Sequence, residues 1–243
     1  MNKIVRSRIL SNLDWLVHGS TTRAFNPHPE GDRELEIRRL CEHAGIKPLR
    51  SAGVLYARQK HTANVFFLDH ENKDPSREAT IVREETDGVG TGLPGVLACI
   101  FTADCIPLFL VDPVKRQFLL IHAGWRGTLS GIAGKGVRVL QEKGSSPSDL
   151  LCWMGPFIGL CCYEVSLELA GRFSRAFPTV HDAVRGRHLD LGRINSCQLE
   201  QRGIRKENIE ICGSCTKCNS ERFYSYRARG DLGGRIYSFA FIP

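Results

Sequence analysis

Three apolar segments follow one another closely in the middle of the chain, and they constrain its fold more than any other feature. They cover residues 95–101, 106–111 and 117–121, and glycine, polar side chains or the Asp112-Pro113 pair bound them. A short continuous apolar run between turn signals is typical of a strand that is buried on both faces. The sequence therefore predicts a β-sheet core that other parts of the chain cover.

Helical patterns and further extended segments surround this core. Apolar side chains recur at helical spacing in four segments, which are 34–44, 128–143, 166–177 and 193–202. Further segments are expected to be extended, and these are 53–59, 61–68, 151–154, 207–212 and 235–241. The polar segment 72–79 predicts an exposed loop. Because strands and helices mix without a regular βαβ alternation, we expect an α/β or α+β single domain over 1–243, with a mixed β-sheet core covered by helices.

Composition excludes several classes of protein. The chain is 42% hydrophobic and 24% charged, and these ordinary globular values exclude a disordered or fibrous chain. The longest apolar run, residues 96–111, contains Asp104 and Pro107, so it predicts no membrane span. No apolar segment follows the basic N-terminal residues, so we expect no secretory signal and a cytoplasmic protein. The excess of 33 basic over 26 acidic residues suits an anionic ligand and is no signature of nucleic-acid binding.

The chain has ten cysteines, more than a protein of 243 residues needs for folding. In a cytoplasmic protein they are expected to be reduced thiols, and most are expected to be small buried residues. Cys212, Cys215 and Cys218 form a C-x-x-C-x-x-C run that is typical of part of an iron–sulfur site. Arg222 stands where the fourth cysteine of the bacterial pattern belongs, so a cluster or a structural zinc is the less favoured interpretation.

A reactive side chain follows three of the predicted strands. His61 comes after 53–59, Cys105 after 95–101, and His122 directly after 117–121. Ligand sites in α/β sheets lie near the carboxyl ends of strands, so these three ends are expected to converge. Two imidazoles and one thiolate suit a catalytic Zn²⁺, which has three protein ligands and a fourth position open to water.

The same three residues allow two other interpretations. One is a buried cysteine beside two hydrogen-bonded histidines, without a metal. The other is a nucleophile pair, in which Cys105 attacks and His122 or His61 acts as the base. The spacings between the three residues match no compact zinc finger, so spacing alone does not decide between these readings.

The segment His122-Ala-Gly-Trp-Arg-Gly127 combines two glycines with an arginine. The glycines permit a tight turn before a helix that is expected to open at Thr128, and such a turn points backbone N–H groups at an anion. Arg126 adds a fork of donors that suits phosphate. Trp125 either packs in the core or stacks on a base.

Three motifs together resemble one bacterial family. They are Thr102-Ala103-Asp104-Cys105, His122-Ala-Gly-Trp-Arg-Gly127 and Gly155-Pro-Phe-Ile-Gly-Leu-Cys-Cys-Tyr-Glu-Val165. Over nearly its whole length the chain is similar to the family long labelled multicopper polyphenol oxidase, or laccase, and now understood as purine nucleoside phosphorylase with adenosine deaminase activity. The similarity begins at His18-Gly-Ser-Thr-Thr-Arg23 and ends at Ser225-Tyr-Arg227.

This resemblance implies that His61, Cys105 and His122 bind one zinc ion. It implies phosphorolysis of adenosine, inosine, guanosine and methylthioadenosine, and hydrolytic deamination of adenosine. It also implies a layered α/β/α-type, cysteine-hydrolase-like fold with no separate substrate domain. Lys60 and Thr62 depart from the Gln-Val-His-Gly that is usual in the family around this histidine, so the preferred nucleoside stays open.

With that function, further residues become candidates for roles in the reaction. Asp104 is the candidate acid that protonates the leaving ammonia. Arg23 and Arg126 are the candidates for binding phosphate, and Gln59 and Tyr163 are candidates for positioning the substrate. The expected partners are purine nucleosides and inorganic phosphate, with no nucleic acid and no membrane, and a monomer and a homodimer both remain open.

Rival functions use the same residues. Thiolate and imidazole ligands also suit copper, as in a copper-dependent polyphenol oxidase, but eight histidines without a His-x-His pair are few for several copper ions. A Cys105-dependent amide hydrolase is the second rival. A zinc-stabilised binding module without turnover is the third.

Overall fold

Two six-stranded sheets dominate the computed structural model, which describes residues 2–27, 32–46, 53–71, 80–230 and 234–243. The strands of the first sheet, in spatial order, are β1 (Ile4–Val5), β2 (Val17–Thr21), β14 (Ile236–Phe241), β7 (Val96–Thr102), β3 (Gly53–Arg58) and β5 (Thr80–Glu84). The pairings from β1 to β7 are antiparallel. The strands β7, β3 and β5 run parallel to one another.

The second sheet has its antiparallel pairs in the middle and parallel pairs at its two edges. Its strands, in spatial order, are β13 (Ile209–Ile211), β10 (Leu151–Met154), β8 (Ile106–Asp112), β9 (Gln117–Ala123), β6 (Gly88–Thr91) and β4 (Val65–Leu68). The parallel pairs are β13 with β10 and β6 with β4. A separate hairpin joins β11 (Val184–Arg185) to β12 (His188–Leu189).

The described residues contain six α-helices. They are α1 (Arg33–Ala44), α2 (Trp125–Leu129), α3 (Ile132–Glu142), α4 (Leu167–Ala176), α5 (Leu191–Gln201) and α6 (Tyr226–Arg229). Apolar residues of α1 pack on the first sheet, and those of α3, α4 and α5 pack on the second. The layers therefore run helix, sheet, sheet, helix.

The alternation of side chains along the central strands produces these layers. In β7, Leu97 and Cys99 pack with α1, whereas Ala98 and Ile100 face the second sheet. Successive side chains of a strand point to opposite faces, so one strand supplies two cores. Every residue of β7, β8 and β9 is buried, in agreement with the continuous apolar runs.

The predicted mixed α/β fold is confirmed, with one correction to its layers. The expected single sheet between helices is two sheets that pack against each other, so the implied α/β/α layering is wrong. A strand that is covered by a second sheet has the same apolar pattern as one covered by helices, so the sequence does not separate the two cases. That residues 1–243 form one domain stays a prediction.

The predicted helix over 128–143 is two helices. α2 begins at Trp125 and ends at Leu129, and α3 begins at Ile132. Gly131, between them, has a φ of 75°. Glycine adopts this left-handed conformation without a steric penalty, and it interrupts the helix there.

Most of the other predicted elements are present, and several strands were not predicted. Of the segment 61–68, only Val65–Leu68 is a strand. Strands β2, β5 and β6 were not expected, because polar residues, and in β2 and β6 also glycine, interrupt their apolar residues. The predicted loop over 72–79 lies outside the described residues. No described helix combines the length and the apolar character that a membrane span requires.

His18, in the unpredicted strand β2, makes the stability of the fold depend on pH. The backbone N–H of Ser7 donates to its Nε2 at 3.1 Å, so the ring is held as an acceptor. Burial, with the nearby Arg6 charge, lowers the pKa of His18 to about 4. Its ordinary pKa is 6.5, so the unfolded chain binds a proton first as the pH falls. The stabilisation is complete above pH 6.5 and is lost as the pH falls towards 4.

We therefore expect the free energy of unfolding to fall by about 2 kcal/mol more between pH 7.5 and pH 5 in the native chain than in His18→Gln. Glutamine retains an acceptor for the Ser7 N–H and does not titrate. Urea unfolding at the two pH values measures the difference. Equal pH dependence in the two proteins would contradict this assignment.

Candidate active site

Two of the places where the chain crosses from the first sheet to the second lie side by side. One crossing is the segment 59–64 between β3 and β4, and the other is 103–105 between β7 and β8. His61 lies on the first crossing and Cys105 on the second, while His122 lies near the end of β9. The donor atoms of these three residues all lie within 4.8 Å of one another. The structure thus brings together the three residues that the sequence singled out.

Both crossings contain a residue in the left-handed backbone region. The φ of His61 is 58° and that of Asp104 is 85°. Non-glycine residues seldom adopt positive φ, and His and Asp do so more readily than most. These reversals turn the chain sharply at the points where the site forms. Successive side chains of a regular strand lie on opposite faces, but the turn at Asp104 removes this restriction for Asp104 and Cys105.

Asp87 organises the first crossing and one histidine at the same time. Its carboxylate accepts hydrogen bonds from the backbone N–H groups of Lys60, His61 and Thr62 at 3.2, 3.0 and 2.7 Å. It also accepts one from Nδ1 of His122 at 2.8 Å. A metal-binding histidine commonly donates its second ring nitrogen to a carboxylate, which sets its tautomer and orientation. Asp87 leaves Nε2 of His122 available to a metal.

Thr62 adds to the same cluster. Its hydroxyl donates to the Asp87 carboxylate at 2.8 Å. Burial opposes the charge on Asp87, but hydrogen bonds from His122 and Thr62 outweigh it and lower the pKa of Asp87 to about 2. Thr62, where the family usually has glycine, therefore adds a hydrogen bond to the carboxylate that holds the His61 segment and the His122 ring. Thr62 does not line the cavity.

Gly124 leaves the room that a metal between the three residues requires. A Cβ atom at this position would lie 3.0 Å from Cys105 Sγ and 3.0 Å from His61 Cδ2. Any other residue at 124 would press on two of the three donors. The donor set, two imidazoles and a thiolate, fits a zinc ion with one open position.

The charge of Cys105 favours metal binding, whereas a metal must displace the proton that the raised pKa keeps on His122. Burial by itself would raise the pKa of Cys105, but the facing His122 and His61 rings outweigh burial and lower that pKa. Burial would lower the pKa of His122, but Cys105 and Asp87 outweigh it and raise that pKa. Cys105 is thus favoured as the thiolate, which is the form that binds metals.

A cavity of about 650 Å³ opens on these three residues. This volume lies in the range of sites for small organic molecules. Its walls combine aromatic rings with cationic side chains, from Phe101, Trp125, Tyr163, Tyr226, Arg33, Arg126, Arg227 and Arg235. Such walls suit a ligand that has a flat ring system and an anionic partner.

Asp104 and Gln59 line the cavity and are already engaged by the protein. The buried carboxylate of Asp104 accepts hydrogen bonds from the Thr216 hydroxyl at 2.6 Å and the Arg227 backbone N–H at 2.7 Å. The amide of Gln59 donates to the Phe101 carbonyl and accepts from the Phe101 N–H, each at 2.8 Å. Asp104 thereby fixes two segments of the wall, and Gln59 joins the ends of β3 and β7.

Tyr163 and Arg126 also line the cavity, whereas Arg23 does not. Burial, followed by the charge of Cys105, raises the pKa of Tyr163 to about 12, so its hydroxyl keeps its proton. The exposed guanidinium of Arg126 lies over the Trp125 ring, 4.6 Å from its centroid. Arg23 instead donates to the Ser220 carbonyl and lies over the ring of Tyr224.

Sequence reasoning did not find every residue of this site. Asp87 carries no local signal for its role, because its partners lie on other segments of the chain. Arg33 and Arg235 carry no local signal, because α1 and the segment before β14 reach the cavity only in the folded chain. Arg227 stands in the motif Ser225-Tyr-Arg227, which was a signal for it.

The chain is similar to one protein family and to several proteins that are named for an enzymatic activity. Residues 31–243 match the family model described as multi-copper polyphenol oxidoreductase laccase. Purine nucleoside phosphorylase YlmD of Bacillus subtilis is 34% identical over 193 residues, 76% of this chain and 69% of that protein. Adenosine deaminase RL5 from an unknown prokaryotic organism is 32% identical over 223 residues, 82% of this chain and 84% of that protein. Human purine nucleoside phosphorylase LACC1 is 29% identical, and the chain spans 52% of its length.

Solved structures share the fold. The crystal structure of YfiH from Bacillus licheniformis has a TM-score of 0.82 and 25% identity, and it covers 100% of this chain and 97% of that one. YlmD from Geobacillus stearothermophilus has a TM-score of 0.80 and 27% identity, with coverage of 100% and 99%. The expected likeness to cysteine hydrolases finds no support in these matches.

Proposed function

The chain belongs to the multi-copper polyphenol oxidoreductase laccase family, and from that premise we propose that it is a zinc-dependent purine nucleoside phosphorylase with adenosine deaminase activity. The names of relatives support the two reactions, because two of them are called purine nucleoside phosphorylases and one an adenosine deaminase. One observation carries the proposal. The donor trio His61, Cys105 and His122 lies on a cavity with aromatic and arginine walls.

The donor set favours zinc over the copper centres that the family name indicates. When bound by the trio, zinc would supply Lewis acidity and lower the pKa of water at its open position. A multicopper oxidase needs further histidine sites. In the described ranges the only other candidate metal group consists of cysteines alone.

Deamination exchanges the amino group of adenosine for the oxygen of water and releases ammonia. Asp104 directly precedes Cys105 and lines the cavity. Thr216 and Arg227 each donate a hydrogen bond to its carboxylate and fix its position beside Cys105. A carboxylate accepts a proton from the attacking water and then delivers it to the leaving ammonia. We assign Asp104 this proton transfer.

Phosphorolysis breaks the bond between purine and ribose and attaches phosphate to C1′. The aromatic side chains Trp125 and Tyr163 suit the purine or the ribose face. Arg126 at the cavity rim suits the phosphate dianion. Tyr163, protonated at neutral pH, is able to donate a hydrogen bond to a purine nitrogen or a sugar oxygen. We expect adenosine, inosine, guanosine and methylthioadenosine all to be substrates.

An assay of the purified protein with adenosine tests the proposal. With phosphate we expect adenine and ribose 1-phosphate, and without phosphate we expect inosine and ammonia. Absence of all four products would remove the proposal. Oxygen uptake with a phenol would favour the copper oxidase instead. A zinc-free protein that is fully active, and that thiol alkylation then inactivates, would favour a Cys105 hydrolase.

Replacement of one arginine is expected to separate the two reactions. In Arg126→Ala we expect the KM for phosphate to rise about tenfold or more, because a charge-assisted hydrogen bond contributes about 1.5–3 kcal/mol. Deamination without phosphate is expected to stay within about threefold of the native rate. Initial rates at varied phosphate measure the first effect, and ammonia release measures the second.

Arg23→Ala is the matched control, because the guanidinium of Arg23 binds Ser220 outside the cavity. The KM for phosphate is expected to remain near the native value in this variant. A higher KM for phosphate in Arg23→Ala, together with a native KM in Arg126→Ala, would assign phosphate binding to Arg23 instead.

A further inference from the structure

A second group of possible metal donors lies away from the proposed active site, and it consists of four cysteines. Cys161 and Cys162 lie on the loop between β10 and α4, and Cys215 and Cys218 lie on the loop between β13 and α6. Their four sulfur atoms all lie within 4.8 Å of one another. Cys212, which begins the C-x-x-C-x-x-C run of the sequence, is not part of this group.

The distances between the sulfur atoms fit one metal ion. The Sγ of Cys218 lies 3.5 Å from that of Cys161 and 3.4 Å from that of Cys162. A disulfide needs about 2.05 Å, so these are separate thiols. In a tetrahedral site with zinc–sulfur bonds of about 2.3 Å the sulfur atoms are about 3.8 Å apart. The observed spacing requires only small side-chain adjustments to reach this value.

Backbone contacts hold the two loops together without help from the thiols. Phe157 and Cys215 form a parallel β-bridge, and the Thr216 N–H donates to the Phe157 carbonyl at 3.0 Å. The Asn219 N–H donates to the Cys215 carbonyl at 3.0 Å, which closes the turn that carries Cys218. The four thiols are therefore preorganised by the fold, as a metal site requires.

Cysteine binds a metal as the thiolate, so an ion that enters the group displaces the protons of the four thiols. A divalent cation then compensates the negative charge that the four thiolates bring together.

We propose that Cys161, Cys162, Cys215 and Cys218 form a second, structural zinc site. All four positions of a tetrahedral ion are taken by thiolates, which is typical of structural sites, whereas the trio at the active site leaves one position open. Soft thiolate ligands favour zinc over Mg²⁺ or Ca²⁺. The site lies at the surface, because Cys161 and Cys218 are exposed.

This site would brace two walls of the catalytic cavity. Tyr163, which lines the cavity, directly follows Cys162. Thr216 directly follows Cys215, and its hydroxyl donates to the Asp104 carboxylate. A metal bound by the four thiols joins both segments from outside, so it is expected to stabilise the cavity without contacting the substrate.

Metal content after purification with zinc under reducing conditions tests the proposal. We expect two zinc ions per native chain, one in Cys218→Ser, one in Cys215→Ser and two in the matched control Cys212→Ser. His122→Ala is expected to retain one ion, bound by the four cysteines. In Cys212→Ser a chelator that removes the ion bound by the four cysteines is expected to lower the melting temperature. In Cys218→Ser, which lacks that ion, the same chelator is expected to lower the melting temperature only by the effect of losing the active-site metal.

Three outcomes would overturn the proposal. One is a native chain with a single zinc ion whose stoichiometry is unchanged in Cys218→Ser. The second is a mass two hydrogens lower, with peptide mapping that places the disulfide among the four thiols. The third is one iron per chain that replaces zinc at these cysteines. None of these measurements depends on nucleoside turnover, so failure here is separate from failure of the proposed function.

Discussion

His122→Ala is expected to bind one metal ion fewer than the native chain and to lose both phosphorolysis and deamination of adenosine. His122 is buried at the meeting point of the site, with Nδ1 bonded to Asp87. Alanine removes a donor that no neighbouring side chain replaces, since the other two donors of the trio are already His61 and Cys105. Loss of a residue that merely supports a metal ligand lowers activity about 10- to 100-fold, and loss of a ligand is expected to exceed that range.

Metal analysis and initial rates with adenosine measure the two effects. His181→Ala is the matched control, because His181 is an exposed histidine outside the cavity, and both metal content and rates are expected to stay native. Circular dichroism establishes that the variant is folded. A folded His122→Ala chain that retains native zinc content and native turnover would refute the assignment of the trio.

Asp87→Ala is expected to destabilise the fold by about 2–4 kcal/mol and to weaken metal binding about 10- to 100-fold. The substitution leaves three backbone N–H groups, the Thr62 hydroxyl and one imidazole N–H without their acceptor. Water reaches part of this space because Lys60 and His61 are exposed, so the cost is smaller than that of five fully buried groups. The loop that carries His61 loses its anchor.

Asp87→Asn separates support of the metal from support of the fold. Asparagine retains one oxygen acceptor, so most of the stability is expected to return, while the loss of charge keeps the metal affinity low. Asp112→Asn is the matched control, because Asp112 is also a buried carboxylate that accepts from backbone N–H groups, those of Val114 and Lys115. It is expected to cost stability and to leave metal affinity native. Equal metal affinity in Asp87→Asn and the native chain would restrict Asp87 to a structural role.

The central strands of the fold were predictable because their apolar runs are uninterrupted. Each residue of β7, β8 and β9 is buried, and a strand covered on both faces is the secondary-structure element that a short, fully buried run of this kind indicates. Strand β2 was not predictable from local pattern, because Val-His-Gly-Ser-Thr is mostly polar. Its polar groups are satisfied by distant partners, as when Ser20 bonds to the hydroxyl of Ser238. Such pairing across the sequence has no local signature.

The part of the candidate site that depends on residue type was predictable from the sequence. The part that depends on contacts with distant segments was not. His61, Cys105 and His122 stand out because each follows a predicted strand and each is able to bind a metal. Asp87 acts only through the segments that fold around it, and nothing next to it in the sequence indicates its partners. The same limit applies to Cys212, which local spacing grouped with Cys215 and Cys218, whereas the fold replaces it with a pair from another loop.

The two crossings that carry His61 and Cys105 also determine when the metal trio is complete during folding. His61 and Cys105 belong to segments that leave one sheet and enter the other, and His122 belongs to the second sheet. A chain that has formed each sheet but has not yet packed them together holds the three donors apart. Contacts between residues far apart in sequence form slowly, so the ions are captured late, after the sheets dock. Occupancy of the trio by the proposed zinc is therefore expected to mark the finished fold, and chains stalled before that step are expected to lack that ion.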